Sequence, residues 1–563
     1  VVYNLFMAIL QSKEEIEEEL QKQKREAKEK DAERRAKKLG LPYLNLISSR
    51  APVEITALSK IDENEAKSAL VAAIKSSPGK IFLIAFDPTL PKAKEIISNF
   101  QKDNELTVYV VSEISLEYAW SYYKYAVKTT EISGSVSINE NELNNLLSQV
   151  KTIKNLSDIL ANFSSPYISK MLEIILGGAL ALKASDIHLE PKKDGGVLRF
   201  RIDGFLHTIF DKFTTIQYKS IITRIKLLSN LKINITHEPQ DGRFTIKLSQ
   251  KEIEIRTSLI PSDYGETTVL RILDPSSLKI DLEELGWRED DLEIVNSVIK
   301  MPNGLVLNTG PTGSGKTTTL YAFLKKIFKP EIKIITVEDP IEYHLPGISQ
   351  TQVNADAGYT FASGLRSILR QDPNVILIGE IRDKETAEIA LNASLTGHLV
   401  FSTLHTNDSV GAIPRLIDLG VQPNILGPAI SLVIAQRLVR VLCSVCKKKK
   451  EIEVNLKEKL DIFIKNLPER VRKENFASYE IYEPVGCENC GGLGYKGRTS
   501  IFELFVVDSK IEEAIYKNPT EIELKRLAKE NGLVTMQQDG VLKIIKGKTT
   551  FEEVERVTGP IEF

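Results

Sequence analysis

Leu305-Val306-Leu307-Asn308-Thr309-Gly310-Pro311-Thr312-Gly313-Ser314-Gly315-Lys316-Thr317-Thr318-Thr319 is the stretch that decides how the rest of this chain is read. A short apolar strand runs into a glycine, four further residues and then Gly-Lys-Thr, the spacing of a phosphate-binding loop. Gly310, Gly313 and Gly315 let the backbone curl so that successive N–H groups point inward and form a nest for an anion, with Pro311, Thr312 and Ser314 between them. Lys316 adds a full positive charge between the terminal phosphates, and Thr317 offers a hydroxyl to Mg²⁺. A helix starting near Thr318 turns its positive dipole end to the same place. The alternative is a glycine-rich turn that binds nothing. It leaves unexplained the legible strand before the loop, Leu305 to Leu307, and the helical pattern after it, Leu320 to Ile327.

The 563 residues leave room for about three or four domains. A composition of 42% hydrophobic and 27% charged residues is that of globular protein and excludes wholesale disorder. The net charge of -2 provides no overall attraction to nucleic acid or acidic lipid. No stretch reaches the ~18 uncharged apolar residues of a membrane span. Val1 to Leu10 is apolar but short, lacks a leading positive region and runs into charge, which makes it a poor signal peptide. The four cysteines come late and in two pairs, unlike a secreted disulfide framework. A cytoplasmic protein is expected, membrane-associated only through partners.

From Ser12 to Lys38 the chain is dense in Glu, Lys and Arg, which predicts an exposed helix held by charge pairs, a solvated face with no specific partner. Gly40 and Pro42 close it. Ile81 to Phe86 and Leu106 to Val111 read as strands, with helical patterns over Asn64 to Ser76 and Lys92 to Gln101. Together they predict a small α/β domain over 41–128. Ser, Asn and Glu enrichment then marks a linker over 129–165. A helix from Pro166 to Leu182 opens an α+β domain over 166–282, with strands at Ser185 to Glu190, Val197 to Ile202, Arg243 to Leu248, Glu252 to Ser258 and Thr267 to Leu273. Asp203-Gly204 and Asp241-Gly242 are hairpin signals. Arg199, Arg201, Arg243, Arg256 and Arg271 fall on these strands. Each reads alone as a surface ion pair; several facing a nucleotide together would form a phosphate clamp.

Over 283–563, apolar strands alternate with helices, as in a parallel sheet wound with helices whose ligands gather at the carboxyl ends of the strands. Glu338, Asp339, Pro340 and Glu342 follow Ile334 to Val337. Gly379, Glu380, Arg382 and Asp383 follow Val375 to Ile378, and Thr403 and His405 follow Leu399 to Ser402. Phosphoanhydride hydrolysis needs Mg²⁺ against the phosphates, a carboxylate to orient water and positive charge for the transition state. Glu380 is the candidate for the metal side, through water, and Glu342 for the attacking water. Glu338 is a further catalytic candidate. His405 is placed to sense the γ-phosphate, while His398 reads equally as a packed residue. Cys443-x-x-Cys446 and Cys487-x-x-Cys490 are two knuckles that together supply four thiolates to a tetrahedral, structural Zn²⁺ within a subdomain over 443–500. Arg498 to Val507 reads as a strand and Thr520 to Val554 as short packing helices.

With these residues assembled, the chain resembles the assembly ATPases of type II secretion and type IV pili, closely from Pro166 onward and more weakly before it. The phosphate loop Gly310 to Thr317, the acidic box Glu338 to Glu342, the Walker B equivalent Ile376 to Glu380 and the histidine box from Thr396-Gly397-His398 to His405-Thr406-Asn407 come in family order. Gly379 stands where most phosphate-loop enzymes carry an aspartate, as is usual in this family. Ala184-Ser185-Asp186-Ile187-His188 and Arg199 to Gly204 look like the family's second domain. The resemblance implies an α/β chain: a RecA-like ATPase domain preceded by a PAS-like α+β domain and a small N-terminal docking domain. It implies a homohexamer that hydrolyses ATP to assemble a pilus or pseudopilus, with Arg256 and Arg271, and Arg243 as a further candidate, reaching the nucleotide. Implied partners are an inner-membrane platform protein and a cytoplasmic adaptor, with no nucleic acid. The four cysteines are similar to the zinc element of the extension branch. The Arg-Leu-Gly motif by which some members bind cyclic di-GMP is not found. A helicase shares the nucleotide core, but the chain lacks a basic, aromatic-rich stripe. A scaffold that binds nucleotide without hydrolysis does not fit a full carboxylate set.

Overall fold

Three sheets, each built from one section of the chain, carry the helices and the site. The computed structural model describes residues 23–49, 51–77, 80–101, 105–125, 135–137, 146, 148–163, 168–248, 252–274, 280–471, 476 and 478–563. Residues 23–39 are helical, and Ala32 and Ala36, four apart, are both buried. The expected solvated helix therefore has one packed stripe. Arg35 lies over the Phe86 ring at 3.8 Å, and Tyr43 Oη donates to Glu29 at 2.6 Å. The expected portion before residue 23 lies outside the described residues.

The first sheet contains β1 (Val71–Ser77), β2 (Lys80–Ala85) and β3 (Glu105–Val110), with β1 antiparallel and β3 parallel to β2. The helical pattern expected over Asn64 to Ser76 breaks in two. A helix over Glu63–Ala69 ends where Leu70 takes a left-handed φ of 54°, and the chain continues as β1. Val71, Ala72, Ala73 and Ile74 are all buried. A run covered on all sides suits a strand packed on both faces and carries no helical signature.

The second sheet has the order β4-β8-β9-β10-β5-β6-β7. Its strands are β4 (Ser135–Ser137), β5 (Ala184–Lys192), β6 (Gly195–Ile202), β7 (Phe205–Phe213), β8 (Gln240–Lys247), β9 (Glu252–Ser262) and β10 (Gly265–Leu273). Asp203 and Gly204, with φ of 47° and 91°, make the expected tight turn between β6 and β7. Asp241-Gly242 makes no turn. It lies inside β8, opposite Ser258 and Thr257, and a Cβ on Gly242 would come within 2.6 Å of Ser229 O. The glycine there permits a close approach. Within the expected linker, β4 joins this sheet and the helix Ile153–Ala161 buries Leu156 and Leu160 in its core. The domain's packing thus starts ahead of Pro166.

The third sheet, of order β13-β12-β14-β15-β11-β16-β19, frames the phosphate loop. It comprises β11 (Gly304–Thr309), β12 (Ile334–Glu338), β13 (Ser349–Gln352), β14 (Val375–Ile378), β15 (Leu399–Leu404), β16 (Ile430–Leu442) and β19 (Tyr495–Val506), the last being the strand expected near Arg498 to Val507. All neighbours are parallel except β16 and β19. Every residue of β11, β12, β14 and β15 is buried, as helices on both faces require. A small two-stranded antiparallel sheet, β17 (Lys448–Lys450) and β18 (Ile481–Glu483), stands beside the cysteines.

Residues 281–288, which lead from the second domain into the third, are anchored to the latter. Lys325 and Lys326 pair with Asp281 at 2.5 Å and Glu283 at 2.6 Å, and Trp287 stacks on Phe502 with ring centroids 3.4 Å apart. Arg288, buried, pairs with Asp291 and Asp539. The second domain touches the third at the β6–β7 turn. Gly497 N–H donates to Asp203 Oδ2 at 2.8 Å, and Arg440 lies 3.8 Å over the Phe205 ring.

Candidate functional site

The loop after β11 turns at Gly310 (φ 150°), Gly313 (φ 78°) and Gly315 (φ 91°). A Cβ on Gly310 would meet both Gln436 O and Ser314 Oγ at 2.7 Å, so the loop closes here only with glycine. Lys316 opens the helix Lys316–Ile327, and its Nζ donates to Gly310 O at 2.7 Å and Pro311 O at 3.2 Å. The ammonium is thereby held over the mouth of its own loop. Burial lowers its pKa to about 8, with Glu380 opposing the shift and Arg437 adding to it. Pro311, Thr312, Gly313 and Thr317 are exposed, Thr318 is half-buried, and Ser314 is buried with no partner for its hydroxyl among the described residues.

A polar support behind the loop was not legible in the sequence. Gln436 on β16 accepts from Asn308 Nδ2 and Thr319 Oγ1, both at 2.9 Å, and donates to Ser500 Oγ at 2.9 Å. Arg437 donates to Gln436 O at 3.1 Å and to Asn407 O at 3.0 Å, bridging the phosphate loop to the segment after His405. The available signal was a Gln-Arg pair interrupting the apolar run of β16.

The strand-end carboxylates part company. Glu380, 16% exposed, bonds to Arg382, and its other oxygen lies 3.7 Å from His405 Nε2. Burial, then Lys316, lowers the His405 pKa, so that ring is neutral near pH 7. Thr403 Oγ1 donates to Gly379 O at 2.7 Å and fastens β15 to the end of β14. Lys316, Glu380 and His405 therefore share one corner of the site. Glu338 is elsewhere: 3% exposed, it accepts from Tyr321 Oη, from Thr336 Oγ1 at 2.5 Å and from Gln350 Nε2 at 3.2 Å. His398 is tied to Ala393 O at 3.0 Å, at the opposite end of β15.

Glu342 receives Arg256 from the second domain, with Nη1 to Oε2 at 3.2 Å and Nη2 to Ile341 O at 2.9 Å. Arg256 sits in the middle of a row. Strand register sets Arg243 opposite Arg256, Arg256 opposite Arg271, Arg271 opposite Asp186 and Asp186 opposite Arg201. Directly paired side chains lie about 5 Å apart, so three neighbouring guanidinium groups repel one another unless anions lie between them. Asp186 serves two arginines: its Oδ1 is 3.0 Å from Arg271 Nε and its Oδ2 is 3.3 Å from Arg201 Nε. Arg243 is exposed at the row's end.

The four cysteine sulfurs lie within 4.8 Å of one another. The Cys443–Cys487, Cys446–Cys490 and Cys487–Cys490 separations are 3.9, 3.8 and 3.8 Å. A tetrahedron with metal–sulfur bonds of about 2.3 Å has sulfur edges of about 3.8 Å, so the cluster fits Zn²⁺. Backbone N–H groups of Gly486, Cys487 and Gly494 point at the sulfurs at 3.3, 3.2 and 3.2 Å, an arrangement that stabilises thiolates.

A family model described as type II/IV secretion system protein matches residues 162–556. The type II secretion system protein E of Aeromonas hydrophila is 43% identical over 401 residues, covering 71% of this chain and 77% of that protein. The type IV pilus assembly ATPase PilB of Myxococcus xanthus is 36% identical over 529 residues, covering 94% of this chain and 91% of its own length. Among solved structures, the Legionella pneumophila ATPase DotB aligns with a TM-score of 0.51 at 20% identity, covering 71% of this chain and 98% of that one, which is a likeness of fold.

Proposed function

The chain belongs to the type II/IV secretion system protein family and is an ATPase motor of secretion or pilus assembly; from that premise we propose how its residues divide the work. Amides of Gly310 to Thr318 and the Lys316 ammonium bind the β- and γ-phosphates of ATP, with Thr317 and, through water, Glu380 on the side of Mg²⁺. Mg²⁺ held by Thr317 and, through water, Glu380 would supply charge neutralisation to the phosphates. Glu342 orients the attacking water. Neutral His405 donates a hydrogen bond to the γ-phosphate, and Arg256, Arg271 and Arg243 present positive charge from the second domain. Glu338 contributes from beneath, through its hydrogen bonds. Cys443, Cys446, Cys487 and Cys490 hold a structural Zn²⁺ and leave it no open position.

The observations that carry this reading are that Arg256 meets Glu342 across two domains and that the phosphate loop holds Lys316 near Glu380 and His405. The motor works as a cytoplasmic homohexamer at the inner membrane, recruited by a platform protein and an adaptor, and it extends a pilus or pseudopilus without binding nucleic acid. No described helix is long and apolar enough to cross a membrane, which is compatible with recruitment through partners. Mg-ATP turnover in the presence of the membrane partner tests the assignment. Lys316→Ala abolishes nucleotide binding and Glu342→Gln preserves binding but lowers turnover to a small, measurable residual rate; unchanged turnover in either variant overturns it.

A further inference from the structure

We infer that Gln350, on the edge strand β13, is a positioning residue that fixes the place of Glu342. The inference rests on the reading of Glu342 as the group that orients water. Glu342 lies in the segment from Asp339 to Leu345, which joins β12 to β13 outside the sheet. Backbone donors and acceptors in such a segment need partners from elsewhere. β13 provides them. Gln350 Oε1 accepts from Leu345 N at 2.7 Å, and Gln350 Nε2 donates to Tyr343 O at 3.1 Å. Two residues along the strand, and so on the same face, Gln352 Oε1 accepts from Ile341 N at 3.4 Å. Between them Thr351 faces the other way and donates to Thr336 O at 2.7 Å. The segment that bears Glu342 is thus held on both sides of that residue by two glutamines.

The remaining amide N–H of Gln350 reaches inward, to Glu338 Oε1 at 3.2 Å and Tyr321 Oη at 3.3 Å. A glutamine amide has two donors and one acceptor oxygen, and here all are used. Tyr321 donates to the other oxygen of Glu338 and meets the Tyr343 ring edge-on at 4.5 Å. Tyr321 lies on the helix that Lys316 opens. One hydrogen-bonded chain therefore runs from the phosphate-loop helix through Tyr321, Glu338 and Gln350 to the segment that carries Glu342. This gives the first carboxylate of the acidic box a role distinct from the last: Glu338 and Gln350 set the distance between the cup and the water-orienting group without touching either ligand. A displacement of about 1 Å in such a group can cost on the order of 100-fold in rate.

The test uses the full chain with Mg-ATP, measuring kcat, KM and the affinity of a fluorescent non-hydrolysable ATP analogue. Gln350→Leu removes every bond at similar size, while Gln350→Glu keeps the acceptor for Leu345 N and places a second carboxylate beside Glu338. Expected for both is a 10- to 100-fold fall in kcat, on the order allowed for misplacement, with KM and analogue affinity within about twofold of the parent. In a Glu342→Gln background, Gln350→Leu adds less than about a twofold further loss, because residues acting as a unit are not additive. A kcat within twofold of the parent, or the same fold-loss again on top of Glu342→Gln, overturns the inference. If Glu342→Gln alone leaves turnover intact, the reading of Glu342 fails whatever Gln350 does. Should Gln350→Leu lose cooperative melting, Gln352→Leu at an exposed position probes the same segment, and an unchanged kcat there and in Gln350→Glu overturns the inference equally.

Discussion

Replacing Arg256 by alanine separates two accounts of the contact between the second and third domains. As a structural ion pair, Arg256 with Glu342 is modest: the side chains are 29% and 38% exposed and the shorter contact between them is 3.2 Å. Pairs so exposed contribute at most about 1 kcal/mol, and the added bond to Ile341 O about as much again. A shift in melting of roughly 2–4 °C per kcal/mol follows for domains of this size. As a phosphate clamp, an arginine is worth on the order of 1,000-fold or more in kcat, at about 1.4 kcal/mol per tenfold. The catalytic effect, about 4 kcal/mol, therefore exceeds the structural one by about 2 kcal/mol, which one experiment can resolve. Thermal melting without nucleotide and Mg-ATP turnover are measured on the same preparations of the parent, Arg256→Ala and Arg256→Lys. The expected result is a melting shift of a few degrees at most and a loss of kcat on the order of 1,000-fold for alanine. Lysine restores little of it, because it keeps the charge and loses the fork. Turnover of Arg256→Ala within threefold of the parent would refute the clamp and leave the contact as interdomain adhesion.

Further outcomes follow from three other parts of the molecule. Lys316 has its free-state pKa depressed to about 8 from 10.5 by burial, so nucleotide binding that restores the charged form takes up a proton at pH 8–9 and almost none well below pH 7; calorimetry in buffers of different ionisation enthalpy reads this. The same shift means that the unfolded chain binds the extra proton between pH 8 and 10.5, so the nucleotide-free protein gains stability over that window relative to Lys316→Met. Asp539 is fully buried and receives Arg288 Nη1 at 3.1 Å, Phe502 N–H at 2.8 Å and the Lys543 ammonium; Asp539→Ala strands those charges and is expected to cost about 3–5 kcal/mol in denaturant unfolding. The purified chain is expected to hold one zinc ion by atomic absorption. Cys490→Ser loses it and opens the two-stranded β17–β18 sheet to limited proteolysis, and an unchanged digest in metal-free protein would count against a structural role.

What the sequence made legible is what neighbouring residues decide together. The phosphate loop needs consecutive amides and one lysine, so Gly310 to Thr317 announces itself, and two Cys-x-x-Cys knuckles do the same. Strands buried on both faces, such as Val375–Ile378, stand out as apolar runs. What escaped depends on distant partners. Glu338 and Glu342 are equivalent on paper, both acids after one strand, yet Tyr321 and Gln350 draw the first inward while Arg256 takes the second outward. Gln436 belongs to the cup only because β16 lies beside β11. Asp241-Gly242 misled as a turn signal because a glycine is equally needed where another backbone passes close, here at Ser229. The Asn64 to Ser76 pattern misled because alanine suits a helix locally while the sheet needed a small-residue strand at Ala72 and Ala73.

Two of the contacts between the second and third domains among the described residues, the β6–β7 turn and the arginine edge, are unequal in strength, and the inequality suggests a pivot. At the β6–β7 turn, Asp203 grips Gly497, and Phe205 is sandwiched by Arg440 and Arg556 at 3.8 and 4.7 Å, with Leu493 tucked against the neighbouring core. At the arginine edge one part-exposed arginine, bonded to Glu342 and to Ile341 O, spans the gap. Strain applied across the two seams is expected to part the arginine edge first, with the β6–β7 corner as the pivot.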